Sequence, residues 1–448
     1  MFTTFSPADQ SNVLPVENTV GRVIVVGAGY SGIAAANALS NNGVNVIILE
    51  GRSRIGGRTH TVSLAGTKTE AGAGWIHSPQ GNPLSQLAKA SSVKTSSFGL
   101  HDVYANLQLV DCPGTILDRL KRDRIIDAVN AVEDKLFKNF KQYPSSHTVA
   151  KLLDAEIHNC EDKELSDWIK FIVLTGFEAD LACSADKISV SNYAIDSGFS
   201  GKDEYVIGGY SNMLNIMAAG LPIVKNTVVS KVLQTPTGVE ITCSNGRVEC
   251  GSHVILSVPL GVLKAELIEF TPLLSPEKKK AISQLGFGAF EKLIFVFEKA
   301  FWQSAKQDIK GILLKGDPLL PYWIDVSVTN GKPTLVAHVT GHRALEMNRL
   351  SDEAVLEKAM FALSNVYKDM PDHPSVWYRT HWAQDPMSRG AYTHITPGGS
   401  VEEINQLSMP EGRILFSGEA TSAERFGYVD GAYLSGLREA QRLTTATR

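Results

Sequence analysis

The sequence predicts an α/β protein of two interleaved domains, and three observations lead to that prediction. Near the start, a short apolar strand, a glycine-rich turn and a helical segment follow one another. Near the end, another apolar strand is again followed by glycine and a helix. The 448 residues exceed what one hydrophobic core usually supports. We therefore expect a Rossmann-type domain built from both ends of the chain, interleaved with an α+β domain.

Residues 23–50 are typical of a β-α-β unit. The run 23–26 is short and β-branched, as in a buried parallel strand, and a second apolar run covers 45–49. A helix is predicted between them, over 31–42. The second run ends in Glu50, at the distance past the glycines expected for a carboxylate that binds a ribose hydroxyl.

Three glycines between the first strand and the helix have the G-x-G-x-x-G spacing. Gly27 allows the tight turn, Gly29 lets the backbone approach a pyrophosphate, and Gly32 brings helix and strand close together. Free N–H groups at the helix N-terminus, near Ser31, then face the phosphates. A lone motif of this kind is a weak signal, but the flanking strands and Glu50 make it a specific one.

The composition is that of an ordinary globular protein. Charged residues make up 20% and hydrophobic residues 43% of the chain, and the formal net charge is -4. The net charge argues against nucleic acid as a partner and leaves cationic ligands open. Five cysteines occur without C-x-x-C spacing, so we expect reduced thiols rather than disulfides or a metal site.

No segment of the sequence predicts targeting or membrane insertion. Residues 1–19 lack a basic region followed by an apolar core, so we expect a flexible tail. No apolar run approaches membrane-spanning length, and the terminus is not a peroxisomal signal. The expected location is the cytoplasm.

The rest of the chain is divided by its periodicity. Segments 20–90, 205–265 and 385–448 are assigned to the nucleotide-binding domain, and segments 91–204 and 266–384 to the second domain. Residues 70–83 read as a polar loop that carries Trp75 and His77. The remaining expectations are helices over 102–168, 276–285, 351–367 and 430 onward, and strands within 222–259, at 290–297 and at 413–416.

The string EGRSRIGGRT, residues 50–59, resembles a segment of the flavin-dependent amine oxidases, most closely of the polyamine oxidases. In that family the acid, here Glu50, holds the adenosine ribose of FAD, and arginines and glycines surround the diphosphate. Phytoene desaturases and protoporphyrinogen oxidases have similar segments, so this string indicates the cofactor better than the substrate. The diphosphate residues implied here are Gly51, Arg52, Gly57 and Arg58.

Further strings extend the resemblance over nearly the whole chain. GAGWIH, residues 72–77, resembles the loop that passes the isoalloxazine ring, and His77 is the variant found in back-converting polyamine oxidases. Residues 227–229 resemble the strand that meets the adenine, and 290–292 the segment whose lysine reaches flavin N5 through a water. The FAD-binding residues implied are Gly27, Gly29, Ser31, Gly32, Glu50, Gly51, Arg52, Gly57, Arg58, Gly74, Trp75, Val229, Trp382, Gly418, Glu419, Tyr428 and Val429.

Two tyrosines complete the implied catalytic set. Segments 382–392 and 427–433 resemble those that supply two aromatic rings facing the flavin, which implies this role for Tyr392 and Tyr428. Monoamine oxidases have a flavin-bonded cysteine just before the first tyrosine, where this chain has Ala391. The resemblance therefore implies FAD that is held without a covalent bond.

The implied chemistry is transfer of a hydride from the carbon beside an amine nitrogen to flavin N5. The amine must be neutral, and a dry site between two aromatic rings favours that form. A lysine on a buried strand face is rare unless it is paired or functional, which supports Lys292 as a catalytic residue. His77 is expected to bind an inner amine, and a carboxylate to bind a distal ammonium group. Among the candidates Glu178, Asp180, Asp196, Asp203 and Glu204, the first choice is Glu204.

The sequence is most similar in its motifs to plant cytosolic spermine and thermospermine oxidases. We expect a monomer or weak homodimer that oxidises such polyamines with O2 at an internal amine, giving an aminoaldehyde, a shorter polyamine and hydrogen peroxide. One alternative is a demethylase-like oxidase acting on methyl-lysine, although we expect no room for its SWIRM and tower domains. The other is a flavin-binding interaction protein without turnover, which the retained Lys292 and tyrosine pair disfavour.

Overall fold

The structure is a computed structural model that describes residues 21–193, 198–304 and 307–445. The expected N-terminal tail, 1–19, lies outside the described residues. The strands are β1 (Val23–Val26), β2 (Val46–Leu49), β3 (Thr61–Leu64), β4 (Thr67–Glu70), β5 (Trp75–Ile76), β6 (Thr95–Ser96), β7 (Leu107–Asp111), β8 (Thr115–Ile116), β9 (Glu204–Val206), β10 (Ile223–Val224), β11 (Val229–Gln234), β12 (Val239–Cys243), β13 (Val248–Gly251), β14 (His253–Leu256), β15 (Glu269–Thr271), β16 (Gly286–Phe287), β17 (Phe290–Val296), β18 (Gly311–Leu314), β19 (Tyr322–Asp325), β20 (Thr334–Thr340), β21 (Val376–Arg379), β22 (Thr393–His394) and β23 (Ile414–Phe416).

Helices cover much of the remaining chain. They are α1 (Tyr30–Asn41), α2 (Pro83–Ala90), α3 (Leu100–Ala105), α4 (Arg119–Asn139), α5 (Val149–Ile157), α6 (Lys163–Leu181), α7 (Tyr210–Ala218), α8 (Leu260–Lys264), α9 (Pro276–Gln284), α10 (Ser327–Asn330), α11 (Gly341–Met347), α12 (Asp352–Val366), α13 (Glu402–Ser408) and α14 (Val429–Thr445). Among the described residues, none of these helices combines the length and the apolar character that crossing a membrane requires.

The predicted Rossmann-type sheet is present and fully parallel. Its strand order is β10-β2-β1-β14-β23, and β1 pairs with β2 on one side and with β14 on the other. The first strand has the predicted bounds, while β2 begins one residue later than expected. Every residue of β1, β2 and β14 is buried, because separate apolar cores cover both faces of the sheet. The C-terminal strand β23 completes the sheet, so both ends of the chain build this domain.

Close packing of the first and last helices joins the two ends of the chain. A Cβ added at Gly436 of α14 would lie 2.1 Å from the carbonyl oxygen of Ser31 in α1. A Cβ at Gly32 would lie 1.9 Å from the carbonyl oxygen of Gly27. Both contacts exclude any side chain, so these glycines set how closely α1 can approach α14 and the turn before it.

A second, seven-stranded sheet has the order β21-β17-β20-β19-β18-β7-β8. One face packs against α4 to α6 and the other against α11 and α12. The prediction of helices over 102–168 was wrong at β7, which pairs in parallel with β18. A short apolar run such as 107–111 cannot be assigned to helix or strand from its periodicity alone, so the distant partner strand decides its structure.

The predicted polar loop over 70–83 is more ordered than expected. Within it, β5 pairs with β9, and α2 begins at Pro83 with Asn82 as its N-cap. The other predicted helices and strands are present with small shifts of their ends, and Ser351 caps α12 as predicted. As the strand signals over 222–259 predicted, β11, β12 and β13 form a small sheet before β14. The later strand β15 joins this sheet beside β11.

One buried lysine supports the C-terminal end of α13, and its removal should destabilise the protein. Lys278 is 1% exposed, and its Nζ donates hydrogen bonds to the carbonyl oxygens of Gln406, Leu407 and Met409. Because Lys278→Met leaves these buried acceptors without their donor, we expect a loss of roughly 2–4 kcal/mol in the free energy of unfolding, measured by urea denaturation. The neighbouring Lys279 is exposed, so Lys279→Met should change this free energy by less than about 0.5 kcal/mol. Equal effects of the two substitutions would contradict this view of Lys278.

Candidate active site

A cavity of about 730 Å³ is lined by residues of both the parallel sheet and the seven-stranded sheet. Its wall includes residues at the ends of β1 and β2 and residues of β17, β19 and β20. Of the residues predicted to bind FAD, every one lines this cavity except Gly32. Gly32 instead packs against the backbone of Gly27, which is the helix-packing role that the motif predicts for it.

One end of the cavity has the properties of a dinucleotide site. Gly27 has φ +102°, a conformation that favours glycine, and it turns the chain from β1 toward α1. No side chain caps the N-terminus of α1, which begins after Gly29, so its first N–H groups are available to phosphate oxygens. Gly29 and Ser31 both line the cavity. This end therefore fits a pyrophosphate.

The carboxylate of Glu50 is fixed in place at the same end. One oxygen accepts a hydrogen bond from the backbone N–H of Ala28 at 2.7 Å, and the other from that of Arg52 at 2.8 Å. Each oxygen keeps a further lone pair that can accept a ribose hydroxyl. The backbone N–H of Thr227 donates a hydrogen bond to the carbonyl oxygen of Glu50 at 2.8 Å. Val229, two residues later in the chain, also lines the cavity.

Two arginines line the cavity and are oriented by acidic partners. Arg52 lies 2.8 Å from a carboxylate oxygen of Asp385, and Arg58 lies 2.8 Å from one of Glu419. Arg58 also donates to the carbonyl oxygen of Ala391 at 2.7 Å. These pairs hold the guanidinium groups at the cavity wall, where they can supply the positive charge that a diphosphate needs.

Lys292 lies on the wall formed by the seven-stranded sheet and is 7% exposed. Its Nζ donates hydrogen bonds to the carbonyl oxygens of Gly72 at 2.6 Å and Glu70 at 3.2 Å, and lies 5.7 Å from the ring centre of Trp75. Burial lowers the pKa of Lys292, and burial raises the pKa of the neighbouring Glu70. Lys292 is therefore a buried lysine with carbonyl partners, not a surface lysine whose ammonium group lies in solvent.

The segment that follows β4 is held from two sides. Besides the bonds from Lys292, the indole Nε1 of Trp382 donates to the carbonyl oxygen of Ala71 at 3.0 Å. Trp382 is in turn positioned by Glu291, whose carboxylate accepts its backbone N–H at 2.9 Å. These bonds hold the carbonyl groups of residues 70–72 in the segment that forms part of the cavity wall.

The two predicted tyrosines line the cavity but are anchored differently. The hydroxyl of Tyr392 donates to the carbonyl oxygen of Ala179 at 2.5 Å. Tyr428 is 39% exposed and makes an edge contact with the ring of His77 at 5.3 Å between centres. Burial raises the pKa of Tyr428 to about 12, with Asp180 adding to the effect, so its hydroxyl stays neutral at physiological pH.

His77 lies beside an acid rather than alone. Its Nδ1 is 3.0 Å from a carboxylate oxygen of Asp203, and its backbone carbonyl accepts a hydrogen bond from the side chain of Asn82 at 2.9 Å. The imidazole is thus oriented by a carboxylate, which leaves Nε2 for another partner. Its proposed contact with an inner amine remains a prediction.

The first choice for the distal carboxylate is not supported by the structure. Glu204 is not among the described residues that line the cavity, whereas Asp180 and Asp203 are. Glu204 begins β9, which pairs with β5, and the preceding residue is the one that faces His77. Glu178 is occupied by an ion pair with Arg343 at 2.9 Å. Asp196 lies outside the described residues.

Asp180 combines access to the cavity with a largely protein environment. Its side chain is open to the cavity at the end of α6, and nearby protein atoms desolvate the carboxylate. This desolvation raises the pKa of Asp180 to about 6, with Asp203 raising it further and His77 opposing the shift. A carboxylate of this kind is a favourable partner for an ammonium group.

Sequence reasoning missed several polar residues of the wall. Tyr322, His338 and Lys292 lie in one row across β19, β20 and β17, and all three line the cavity. Burial lowers the pKa of His338 well below its usual value, so the imidazole is neutral. In the sequence, only the alternation of residues in β17 pointed to this row. Its other members, His338 and Tyr322, lie far from Lys292 along the chain and join it only in the folded sheet. Tyr104, Tyr193 and Arg425 also line the cavity.

The described residues contain no group of three or more histidine, cysteine, aspartate or glutamate side chains that could hold a metal ion. All five cysteines are free thiols in the structure, and two of them, Cys183 and Cys243, are buried.

Comparisons with known proteins relate this chain to flavin-containing amine oxidases. A family model described as flavin containing amine oxidoreductase matches residues 30–444. Among Arabidopsis thaliana proteins, "Probable polyamine oxidase 4" is 31% identical over 96% of this chain and 87% of its own length. "Lysine-specific histone demethylase 1 homolog 2" is also 31% identical over 96% of this chain, which spans 59% of that longer protein. The structure of a putrescine oxidase bound to putrescine matches 95% of this chain and 99% of its own, with a TM-score of 0.75 and 25% identity.

The family match and the geometry of the cavity lead to one conclusion. The glycine turn, the uncapped N-terminus of α1 and the fixed carboxylate of Glu50 suit the adenosine diphosphate part of FAD. The opposite end of the cavity presents Lys292, Tyr392 and Tyr428. The chain belongs to the flavin-containing amine oxidoreductase family, with FAD as its cofactor, and has the fold and relatives of the flavin-dependent polyamine oxidases.

Proposed function

We propose that the chain oxidises linear polyamines of the spermine or thermospermine type. The observation that carries this proposal is that Asp180 and Asp203 line the cavity together with Lys292 and several aromatic rings. Carboxylates attract ammonium groups, and the rings contact the methylene segments between them. A substrate with several amines separated by short methylene chains matches that alternation.

The residues around the reacting end favour a neutral amine. An alkyl amine resembling lysine has a pKa near about 10 in water, so the site must desolvate it before its lone pair becomes available. Tyr392 and Tyr428 supply apolar faces, and the buried Lys292 offers N–H groups to a water or substrate atom. FAD, when bound, supplies the chemistry by accepting a hydride from the carbon next to the nitrogen.

The overall reaction converts the amine, O2 and water to an aminoaldehyde, a shorter polyamine and hydrogen peroxide. We favour back-conversion, in which the carbon on the outer side of a secondary amine is oxidised. His77 supports this direction because its ring, held by Asp203, lies against Tyr428 where an inner amine would pass. Relatives named as polyamine oxidases in Arabidopsis thaliana and rice agree with the substrate class.

Anaerobic titration tests the proposal directly. Adding spermine under nitrogen should bleach the visible spectrum of the bound flavin, and analysis of the aerobic products should then find 3-aminopropanal and spermidine. Finding 1,3-diaminopropane instead would overturn back-conversion while leaving amine oxidation intact. A flavin that spermine, thermospermine and other amines all fail to bleach would support the flavin-binding protein without turnover.

The demethylase relatives favour a second candidate, oxidation of methylated lysine in a protein. A plant histone demethylase homologue matches this chain at 31% identity, as well as the polyamine oxidases do. The same titration with a methyl-lysine peptide separates the two candidates. Bleaching by the peptide at micromolar concentration, without bleaching by spermine, would replace the polyamine proposal.

Ala391 leads to a prediction about how FAD is held. This residue is 9% exposed, lines the cavity and has a methyl side chain that cannot bond to a flavin carbon. We therefore expect precipitation of the holoprotein with trichloroacetic acid to leave all the yellow colour in the supernatant. Colour retained in the washed pellet would show a covalent bond and contradict the prediction.

We further propose that the protein acts in the cytoplasm as a monomer or weak homodimer, with O2 and the polyamine as its small-molecule partners. Size-exclusion chromatography with light scattering, over a range of protein concentrations, checks the oligomeric state. A stable tetramer would contradict it.

A further inference from the structure

A buried ion pair lies directly behind one of the two predicted aromatic rings. The guanidinium of Arg425 donates two hydrogen bonds to the carboxylate of Asp430, at 2.7 and 2.6 Å. Both side chains are almost fully buried, with 6% and 3% of their surface exposed. A bidentate pair of this kind holds the guanidinium plane in one orientation.

The same guanidinium stacks on Tyr428. Its central carbon lies 4.1 Å from the ring centre of Tyr428 and 5.1 Å from that of Phe199. Arg425 is therefore held between two aromatic rings, one of which faces the cavity. Contacts of a desolvated guanidinium with an aromatic face are among the stronger cation–π interactions.

The pair also holds the backbone of His77. Arg425 donates to the carbonyl oxygen of His77 at 3.3 Å, and Asn82 bridges that carbonyl, at 2.9 Å, to the carboxylate of Asp430, at 2.7 Å. His77 in turn contacts the edge of the Tyr428 ring. One network therefore fixes both residues that the proposed function places beside the amine.

The two tyrosines differ in what else could orient them. The hydroxyl of Tyr392 has a strong acceptor in the carbonyl of Ala179. Within the part of the chain that the structure describes, the hydroxyl of Tyr428 makes no hydrogen bond, and its ring contacts Arg425 and His77. This difference makes Tyr428 dependent on Arg425 in a way that Tyr392 is not.

We infer that Arg425 is a positioning residue that, held by Asp430, fixes the Tyr428 ring and thereby the path of the amine past the reacting end of the cavity. The inference rests on the proposed function for the direction of its kinetic effect. Whether Arg425 acts through Tyr428 does not depend on which substrate the protein oxidises.

A double-mutant cycle tests the inference in the FAD-loaded protein. Arg425→Lys keeps the charge next to Asp430 but removes the planar group that stacks on the ring. We expect it to lower the rate of anaerobic flavin reduction by spermine about 10- to 100-fold, with a smaller change in the spermine concentration at half-maximal rate. Tyr428→Leu should lower the rate further, and the double variant should be no slower than Tyr428→Leu alone, because the two residues act as one unit.

A second readout needs no turnover. The visible circular dichroism of the bound flavin, recorded without substrate, should change in Arg425→Lys and in Tyr428→Leu, and the double variant should match Tyr428→Leu. Arg379→Lys is the matched control, since Arg379 is also a buried arginine paired with an acid, Asp352 at 2.9 Å, but lies outside the cavity wall. We expect that control to leave the reduction rate and the dichroism unchanged.

Several results would overturn the inference. They are an Arg425→Lys variant with wild-type reduction rate and dichroism, additive effects in the cycle, or equal effects of Arg379→Lys. If Arg425→Lys retains no FAD, the double variant Arg425→Gln, Asp430→Asn replaces it, because this neutral pair keeps a hydrogen bond without leaving a lone buried charge. If spermine fails to reduce the wild-type flavin, the proposed function fails, and the dichroism cycle still decides whether Arg425 acts through Tyr428.

Discussion

Replacing Lys292 by methionine is expected to lower turnover about 100-fold, the loss that follows removal of one preorganised donor from a water-excluded site. The substitution keeps the length of the side chain but removes the ammonium group that bonds the carbonyls of Glu70 and Gly72. It also removes the positive charge from the row that Lys292 forms with His338 and Tyr322. Stopped-flow measurement of flavin reduction and of reoxidation by O2 will show which half-reaction slows.

Two variants make the result for Lys292 specific. Lys299→Met removes an exposed lysine just beyond the same strand and should leave both rates unchanged. Lys292→Arg keeps charged donors on the cavity wall, and its FAD content shows whether the 70–74 segment tolerates a change at this position. Wild-type rates of both half-reactions in Lys292→Met, with FAD retained, would remove Lys292 from the catalytic set.

The parallel sheet could be predicted because its signals are local. The strand at 23–26, the glycine turn and the helix lie within one short segment, and each requires a specific residue type at a specific spacing. The seven-stranded sheet was harder to predict from the sequence. Its strand at 107–111 is specified by pairing with 311–314, two hundred residues away along the chain, and no local periodicity encodes such a partner.

The same distinction separates the two ends of the cavity. The residues expected to bind FAD could be read from contiguous strings, and all of them except Gly32 line the cavity. The distal carboxylate could not be chosen, because Glu204 and Asp203 are adjacent in sequence and the pairing of β9 with β5 decides which one faces His77. Arg425 was missed for a related reason, since its significance comes from a ring and a carbonyl that it meets only in the folded chain.

The substitution Asp180→Asn should weaken the binding of long polyamines far more than it slows their oxidation. Asp180 lines the same cavity as the two tyrosines, and Asp180→Asn removes its charge with almost no change in volume. A hydrogen bond to a charged group contributes about 1.5–3 kcal/mol, so we expect the KM for spermine to rise about 10- to 100-fold while kcat changes little. An amine too short to reach Asp180, such as N-methylpropylamine, should show no difference between the variant and the wild type.

The pH dependence of binding provides an independent check on Asp180. Burial raises the pKa of this carboxyl to about 6, and only the ionised form attracts an ammonium group. The KM of the wild type should therefore rise as the pH falls through 6, and that rise should be absent in Asp180→Asn. Asp186→Asn is the matched control, because Asp186 is an exposed acid just past the same helix and does not line the cavity. If Asp180→Asn and Asp186→Asn give the same KM and the same pH profile, the distal ammonium group binds elsewhere, and Asp203, which already pairs with His77, becomes the carboxylate to test.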